Sequence, residues 1–282
     1  MGSMDSKLVM VTGASSGIGY YTALEIARMA ASVILVGRND SACQAAVKSI
    51  QQETGNGSIS YLLADLSSQA QVRAMAAKFL SQHDHLDVLV NNAGVSLLRR
   101  KLTVDGLEMT FAVNHLAHFL LTNLLLEALK HSRSARVVTV SSGAHHNEHL
   151  DFDDLQLAHF YNPWKAYSRS KLANILFAYE LARRMVGTYI TSNAMTPGMV
   201  ATDMWKKVDR WIGPLVFAAI KHRAQTPDLG AQTSIYLATS PEVEGITGQY
   251  YAYQHPIRSS EASYDVEIAR RLWEVSTNLV GL

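Results

Sequence analysis

Short apolar runs alternate with amphipathic stretches along most of the chain. Leu8 to Thr12, Ser32 to Val36, Ile59 to Leu63, Asp87 to Asn91, Arg136 to Ser141, Tyr189 to Ala194 and Gln249 to Ala252 form the runs. Several are apolar nearly throughout and rich in Val, Ile and Leu, as strands buried on both faces of a parallel sheet must be. Between them the apolar positions recur at helical steps. Val72, Met75, Phe79 and Leu80 form one stripe, and Leu172, Ile175, Leu176 and Tyr179 another. Strand and helix in repeated alternation predict an α/β protein: a single doubly wound parallel sheet of about seven strands with helices on both faces. A last helix is expected between Glu261 and Leu282 from Val266, Ile268, Leu272, Trp273 and Val275. The pattern leaves open whether it covers the pocket or a neighbouring subunit.

Two segments break the alternation. Residues 143–163 read as a polar and aromatic insertion, and residues 199–226 carry Trp205, Trp211, Phe217 and an apolar run. Both follow strands, and in open α/β sheets the ligand crevice lies beyond the carboxyl ends of the strands. The second segment is therefore expected to be a substrate lid. No linker rich in Pro, Gly or Ser divides the chain, so residues 7–282 are expected to form one domain. Residues 1–6 read as a tag scar and tail, because Met1-Gly2-Ser3-Met4 holds a second methionine and none of the regions of a signal peptide.

Composition narrows the function classes. With 282 residues, 48% of them hydrophobic, the chain can build a large core. Lys+Arg 25 against Asp+Glu 24 leaves a net charge of +1, too balanced for a nucleic-acid footprint. The single cysteine, Cys43, cannot form an internal disulfide, which suits a reducing, cytoplasmic setting. The longest apolar stretch, Trp211 to Ile220, holds Pro214 and falls short of the roughly 20 residues a membrane span needs.

Directly after the first strand stands Thr12-Gly13-Ala14-Ser15-Ser16-Gly17-Ile18-Gly19, opening a helix. Gly13 suits the turn, Gly17 a close approach to pyrophosphate and Gly19 tight packing of helix on strand, while the helix N-terminus presents free N–H groups to phosphate oxygens. The expected fold is thus of the Rossmann type. At the end of the second strand, Gly37 occupies the slot where a carboxylate would take the ribose 2′-OH, and Arg38 follows. An arginine there favours a 2′-phosphate, so NADP(H) is the expected cofactor. Asp65-Leu66, ending the third strand, can contact the adenine; Asp65 serves equally well as an N-cap for the next helix.

Tyr167 and Lys171, four apart on a helical pattern, leave the same face one turn apart. A cation about 4 Å from a phenol is worth roughly 4 kcal/mol at an effective dielectric of 20, or about three pKa units. From an ordinary value near 10, that would bring Tyr167 toward neutrality. Such a phenol can donate a proton to a carbonyl oxygen, or accept one from an alcohol.

The ordered set TGASSGIG, Asn91-Asn92-Ala93-Gly94, Asn114, Ser141-Ser142, Tyr167-Ser-Arg-Ser-Lys171 and Pro197-Gly198 resembles the short-chain dehydrogenase/reductase family from about Lys7 to Ala252. The resemblance implies Tyr167 as general acid/base and Lys171 as the group that lowers its pKa and holds the nicotinamide ribose. It implies Ser142, the second of its pair, as the hydrogen-bond donor to the substrate oxygen, and Asn114 as the water link from Lys171 to a proton relay. Asn92, Ala93 and Gly94 would lie beside the cofactor ribose, and Pro197 and Thr202 near the carboxamide. Asn114-His-Leu-Ala-His-Phe-Leu-Leu-Thr122, the run from Arg136 through His146 and YSRSKLANIL from Tyr167 are similar to retinol dehydrogenases and their WW-domain-containing relatives. That branch implies hydride transfer between NADP(H) and a carbonyl or alcohol on a bulky apolar substrate that is retinoid-, steroid- or polyketide-like. No hydrophobic anchor or WW domain precedes the fold in this sequence, which shifts the expectation toward an apolar carbonyl other than a retinoid.

Other features yield to simpler readings. His145, His146, His149 and Glu148 are clustered, but clustered loop histidines are commonly solvated or substrate-facing, and no metal is expected. Phe160, Tyr161 and Trp164 suit an apolar pocket wall. Two alternatives stand beside the reductase: a tailoring ketoreductase of natural-product biosynthesis, and a non-catalytic NADP-binding regulator. The apolar face of the Tyr167 helix can pack on its own sheet or on a second copy of the chain.

Overall fold

The computed structural model describes residues 4–200 and 224–282. Its elements run β1 Leu8–Thr12, α1 Gly17–Arg28, β2 Ser32–Gly37, α2 Asp40–Thr54, β3 Ile59–Leu63, α3 Gln69–Leu80 and β4 Val88–Asn91. A broken helix follows: α4 Met109–Phe111, a π turn Ala112–Leu116, α5 Ala117–Leu124 and α6 Leu126–Lys130. Then come β5 Arg136–Val140, a 3₁₀ turn Gly143–Asn147, α7 Pro163–Arg184, β6 Thr191–Thr196, α8 Pro227–Thr239, β7 Tyr250–Ala252, β8 His255–Pro256 and α9 Val266–Val280.

One sheet has the order β3-β2-β1-β4-β5-β6-β7-β8, parallel except for β8. Because β1 is flanked by β2 on one side and β4 on the other, the chain reverses direction there, and a crevice opens beyond the carboxyl ends of these strands. Alternation along β1 builds both cores at once. Leu8 and Met10 enter the layer with α3, α5, α7 and α9; Val9 and Val11 enter the layer with α1, α2 and α8.

Three expectations need correction. The sixth strand begins at Thr191 rather than Tyr189, whose ring is 73% exposed, because its register pairs Thr191 with Arg136. An eighth strand follows β7 through Tyr253 and Gln254, both at positive φ (50° and 65°). Such a two-residue turn ordinarily announces itself with Asn-Gly, and here it does not. Met4, set aside with the tail, is buried in the α1 layer and its N–H bonds to the Met29 carbonyl at 3.0 Å.

The last helix covers its own domain. Trp273 of α9 stacks on Phe177 and meets Phe119 edge-on, while Asp265 caps the helix start. From Ala166 to Ala182, α7 is buried throughout. Among the described residues, no helix is long and apolar enough to cross a membrane.

Candidate active site

The cofactor end is built from backbone. Gly13 sits at φ +67°, and its N–H bonds to the Val36 carbonyl at 2.8 Å. A Cβ on Gly19 would stand 2.5 Å from Asn92 Nδ2 and 2.6 Å from the Gly13 carbonyl oxygen, so only glycine lets α1 start this close to β1. Ser16, the residue before α1, makes no side-chain cap, which leaves the first N–H groups of the helix free of a side-chain partner.

Thr12 ties the turn to β4. Its hydroxyl oxygen accepts from the N–H groups of Asn92 (2.9 Å) and Ala93 (3.0 Å), and it meets His118 Nε2 at 3.2 Å. Asn92 Nδ2 returns a bond to the Thr12 carbonyl at 2.7 Å. Arg38 is exposed and enters no ion pair among the described residues. Asp40 is engaged elsewhere, accepting from Tyr61 Oη at 2.8 Å and Gln44 Nε2 at 2.9 Å. A Cβ at Gly37 would stand 2.5 Å from Cys43 Sγ, so the small residue at this slot is also a packing requirement. Asp65 is not the cap of α3. Ser68 is, and Asp65 Oδ1 instead takes Ser67 N–H and Oγ–H in an Asx turn, while Leu66 packs partly buried against the α3 layer.

At the chemistry end Asn114 lies in the π turn, a local widening that recurs at functional sites. Its side-chain oxygen accepts from Val95 N–H at 2.7 Å, and Nδ2 donates to the Val95 carbonyl (3.0 Å) and to Ser170 Oγ (2.9 Å). Asn114 therefore pins the strand end that carries Gly94, at which a Cβ would lie 3.6 Å from Lys171 Nζ. Ser141 and Ser142 divide the labour. Ser141 is buried and its hydroxyl donates to the Lys171 carbonyl at 2.7 Å, whereas Ser142 caps the 3₁₀ turn, its hydroxyl oxygen accepting from Ala144 N–H at 3.3 Å, and stands near enough to the Tyr167 phenol to favour its ionised form.

The Tyr167–Lys171 pair corrects the electrostatic expectation. Lys171 Nζ stands 5.6 Å from the Tyr167 ring centre and donates to the Val140 carbonyl at 3.1 Å instead of to the phenol. Burial pushes the phenol up from its usual range, opposed by the Ser142 hydroxyl, and pushes Lys171 down to about 8. Tyr167 consequently holds its proton through neutral pH.

The remaining candidates separate. His145 is buried with both ring nitrogens bonded, and Glu148 lies against the buried Arg169, while His146 and His149 are exposed. Tyr161 is anchored through its hydroxyl to the Leu97 carbonyl. Phe160 (77%) and Trp164 (60%) are exposed, Trp164 with its ring 6.4 Å from that of Tyr167. Pro197 and Gly198 follow β6, and Gln225 N–H bonds to the Met199 carbonyl at 2.8 Å. Thr202 and most of the expected lid, residues 201–223, lie outside the described residues. A cavity of about 300 Å³ opens at the opposite end of the sheet, by Arg136 and Thr191, remote from these groups.

Thr12, His118 and His145 were not singled out by sequence reasoning for the contacts they make. Apart from the bond of His145 to Ser142, three residues away, those contacts join residues 80 to 115 apart, beyond any local spacing rule.

The short chain dehydrogenase family model matches residues 7–213. Human retinol dehydrogenase 11 is 44% identical over 281 residues, spanning 99% of this chain and 87% of that protein. Human polyprenol dehydrogenase is 41% identical over 289 residues, with 98% and 86% covered. A crystal structure from Mycobacterium paratuberculosis superposes with a TM-score of 0.80 at 33% identity, covering 99% of this chain and 95% of that one. Family model, near-full-length relatives and architecture agree: this chain belongs to the short-chain dehydrogenase family, in its retinol dehydrogenase-like branch, and is an oxidoreductase acting on CH–OH groups with a nicotinamide cofactor.

Proposed function

We propose that the protein is an NADP(H)-dependent reductase of a carbonyl on a bulky apolar molecule, with Tyr167 as proton donor. The observation that carries this reading is the convergence of Ser142, Tyr167, Lys171 and Asn114 beyond the carboxyl ends of β4 and β5, beside the glycine turn.

The residues fit a dinucleotide. Gly13 and Gly19 let the turn and the start of α1 close onto the ends of β1 and β4, where a β-carbon would strike Ala93, Asn92 or the Gly13 carbonyl, and α1 there offers N–H groups without a competing side-chain cap. Arg38, exposed and in no ion pair among the described residues, can meet a 2′-phosphate, while the Asp40 carboxylate is held toward Tyr61 and Gln44. The cofactor supplies the hydride when bound. Tyr167 donates its proton to the carbonyl oxygen, and the Ser142 hydroxyl holds that same oxygen. Lys171 keeps a positive charge at the ribose side below about pH 8 and favours the phenolate that proton loss leaves behind. Asn114 fixes Val95, and with it the loop beside Lys171. The exposed rings of Phe160 and Trp164, together with relatives named for retinol and polyprenol, support an apolar substrate.

Titration of tryptophan fluorescence with NADPH and NADH, followed by nicotinamide absorbance during addition of retinal, steroid ketones and polycyclic quinones, tests the reading. The expected result is tighter NADPH binding, by about tenfold or more as an arginine–phosphate contact implies, and oxidation by at least one apolar carbonyl. Preference for NADH, or binding without oxidation by any of them, overturns it.

A further inference from the structure

Resting on that reading, we propose that His145 is a positioning residue for the reaction: a neutral imidazole strut that fixes the main chain of Ser142 against the C-terminal segment, so that the Ser142 hydroxyl faces Tyr167.

The ring is fully buried and both nitrogens are used. Nδ1 lies 2.7 Å from the Ser142 carbonyl, which can only accept, so Nδ1 carries the proton. Nε2 lies 3.0 Å from the Ser260 N–H, which can only donate, so Nε2 is bare. Two contacts thus select one tautomer of the neutral ring; a charged ring would set an N–H against an N–H. Burial works in the same direction, lowering the imidazole to about 4. The ring also packs edge-on against Tyr250, 5.1 Å between centres, and Tyr250 lies close enough to Tyr167 for the two phenols to interact electrostatically.

The strut closes a frame. Ser260 follows Ser259, whose hydroxyl meets Tyr179 Oη at 2.9 Å and Ser263 Oγ at 2.6 Å. Tyr179 and Tyr167 are both on α7, about 18 Å apart along a rigid helix. The path therefore runs from α7 through Ser259, Ser260 and His145 to Ser142, and back to α7 at Tyr167. Because the helix fixes the long side, the ring bond of His145, added to the bond from its own main-chain N–H to the same carbonyl at 3.2 Å, holds the Ser142 main chain in place.

Three variants separate this role from simple packing. His145→Phe keeps a ring and loses both bonds; His145→Asn keeps an amide N–H at the δ position for Ser142; His145→Gln reaches the ε position facing Ser260. The expected result is a fall in kcat of about tenfold to a hundredfold for Phe and Gln, as misplacement of a reacting group produces. Asn should recover most of that rate, and the Kd for NADPH should stay within about twofold in all three, since the strut lies outside the cofactor cradle. Native turnover in His145→Phe, or equal losses in Asn and Gln, overturns the proposal. Long-range proton–nitrogen NMR of the wild-type ring between pH 6 and 8 needs no turnover. It should show a neutral ring protonated at Nδ1, and an Nε2–H or charged ring overturns the strut. A wild-type protein that reduces no carbonyl but shows this tautomer refutes the functional reading alone.

Discussion

The two layers that cover the sheet bury different kinds of group. The layer of α1, α2 and α8 is chiefly aliphatic at its centre, with Leu24, Ile26, Leu35 and Ile50 almost wholly enclosed. The layer of α5, α7 and α9 encloses Asn114, His115, His118, Arg169, Ser170, Lys171 and Asn174 among its apolar residues. Burying so many polar groups is costly unless each is bonded, and most here are bonded to backbone or to one another. The difference teaches where the fold holds its chemistry: one layer supplies stability through shape, the other spends polar contacts on holding side chains in place.

The comparison can be broken most forcefully in the aliphatic layer. Leu35→Ala should lower unfolding stability by about 2–5 kcal/mol, measured by denaturant titration, with the choice between NADPH and NADH unchanged from wild type. Acidification should instead strike the polar layer. Burial holds His115 and His118 at about 3, against about 6.5 in the unfolded chain, so between those values the unfolded state binds more protons and stability falls as pH falls. From pH 6.5 to pH 5 the loss is on the order of 2 kcal/mol for each histidine. Glu148, pushed up by burial, acts in the opposite sense. Melting curves at successive pH values should show the slope, shallower in His115→Leu; a flat profile would contradict the burial of these rings in their neutral form.

The legibility of the chain follows the same division. β1, β3 and the Tyr167–Lys171 helix were readable because apolar runs and 3.6-fold periods are local, and the glycine turn because it stands at a fixed offset from a strand. β8 was not readable, since Tyr253 and Gln254 turn the chain without the residues that favour positive φ. The polar layer was visible as residue types but not as contacts. Sequence spacing placed Lys171 on the face of Tyr167, yet only the folded chain shows its ammonium drawn to Val140, with burial raising the phenol.

Smaller effects sharpen the picture at single contacts. Gly37→Ala should destabilise by about 1–3 kcal/mol through the clash with Cys43, and Cys43→Ala in the same chain should restore the melting temperature. No rescue would mean that backbone conformation, not the thiol, excludes a side chain there. Ser141→Ala should lose about 1 kcal/mol with the bond to the Lys171 carbonyl, whereas Ser142→Ala should lose turnover with little change in melting. The reverse pattern in paired activity and melting assays would exchange the roles of the two serines.

The most direct test of Tyr167 as the proton donor is single-turnover oxidation of saturating NADPH by an accepted carbonyl in wild type and Tyr167→Phe. The phenylalanine variant should bind NADPH normally and react about 10²- to 10⁴-fold more slowly, the range that loss of a positioned acid gives. A rate near that of wild type would show that the proton comes from elsewhere and would contradict the assignment of Tyr167.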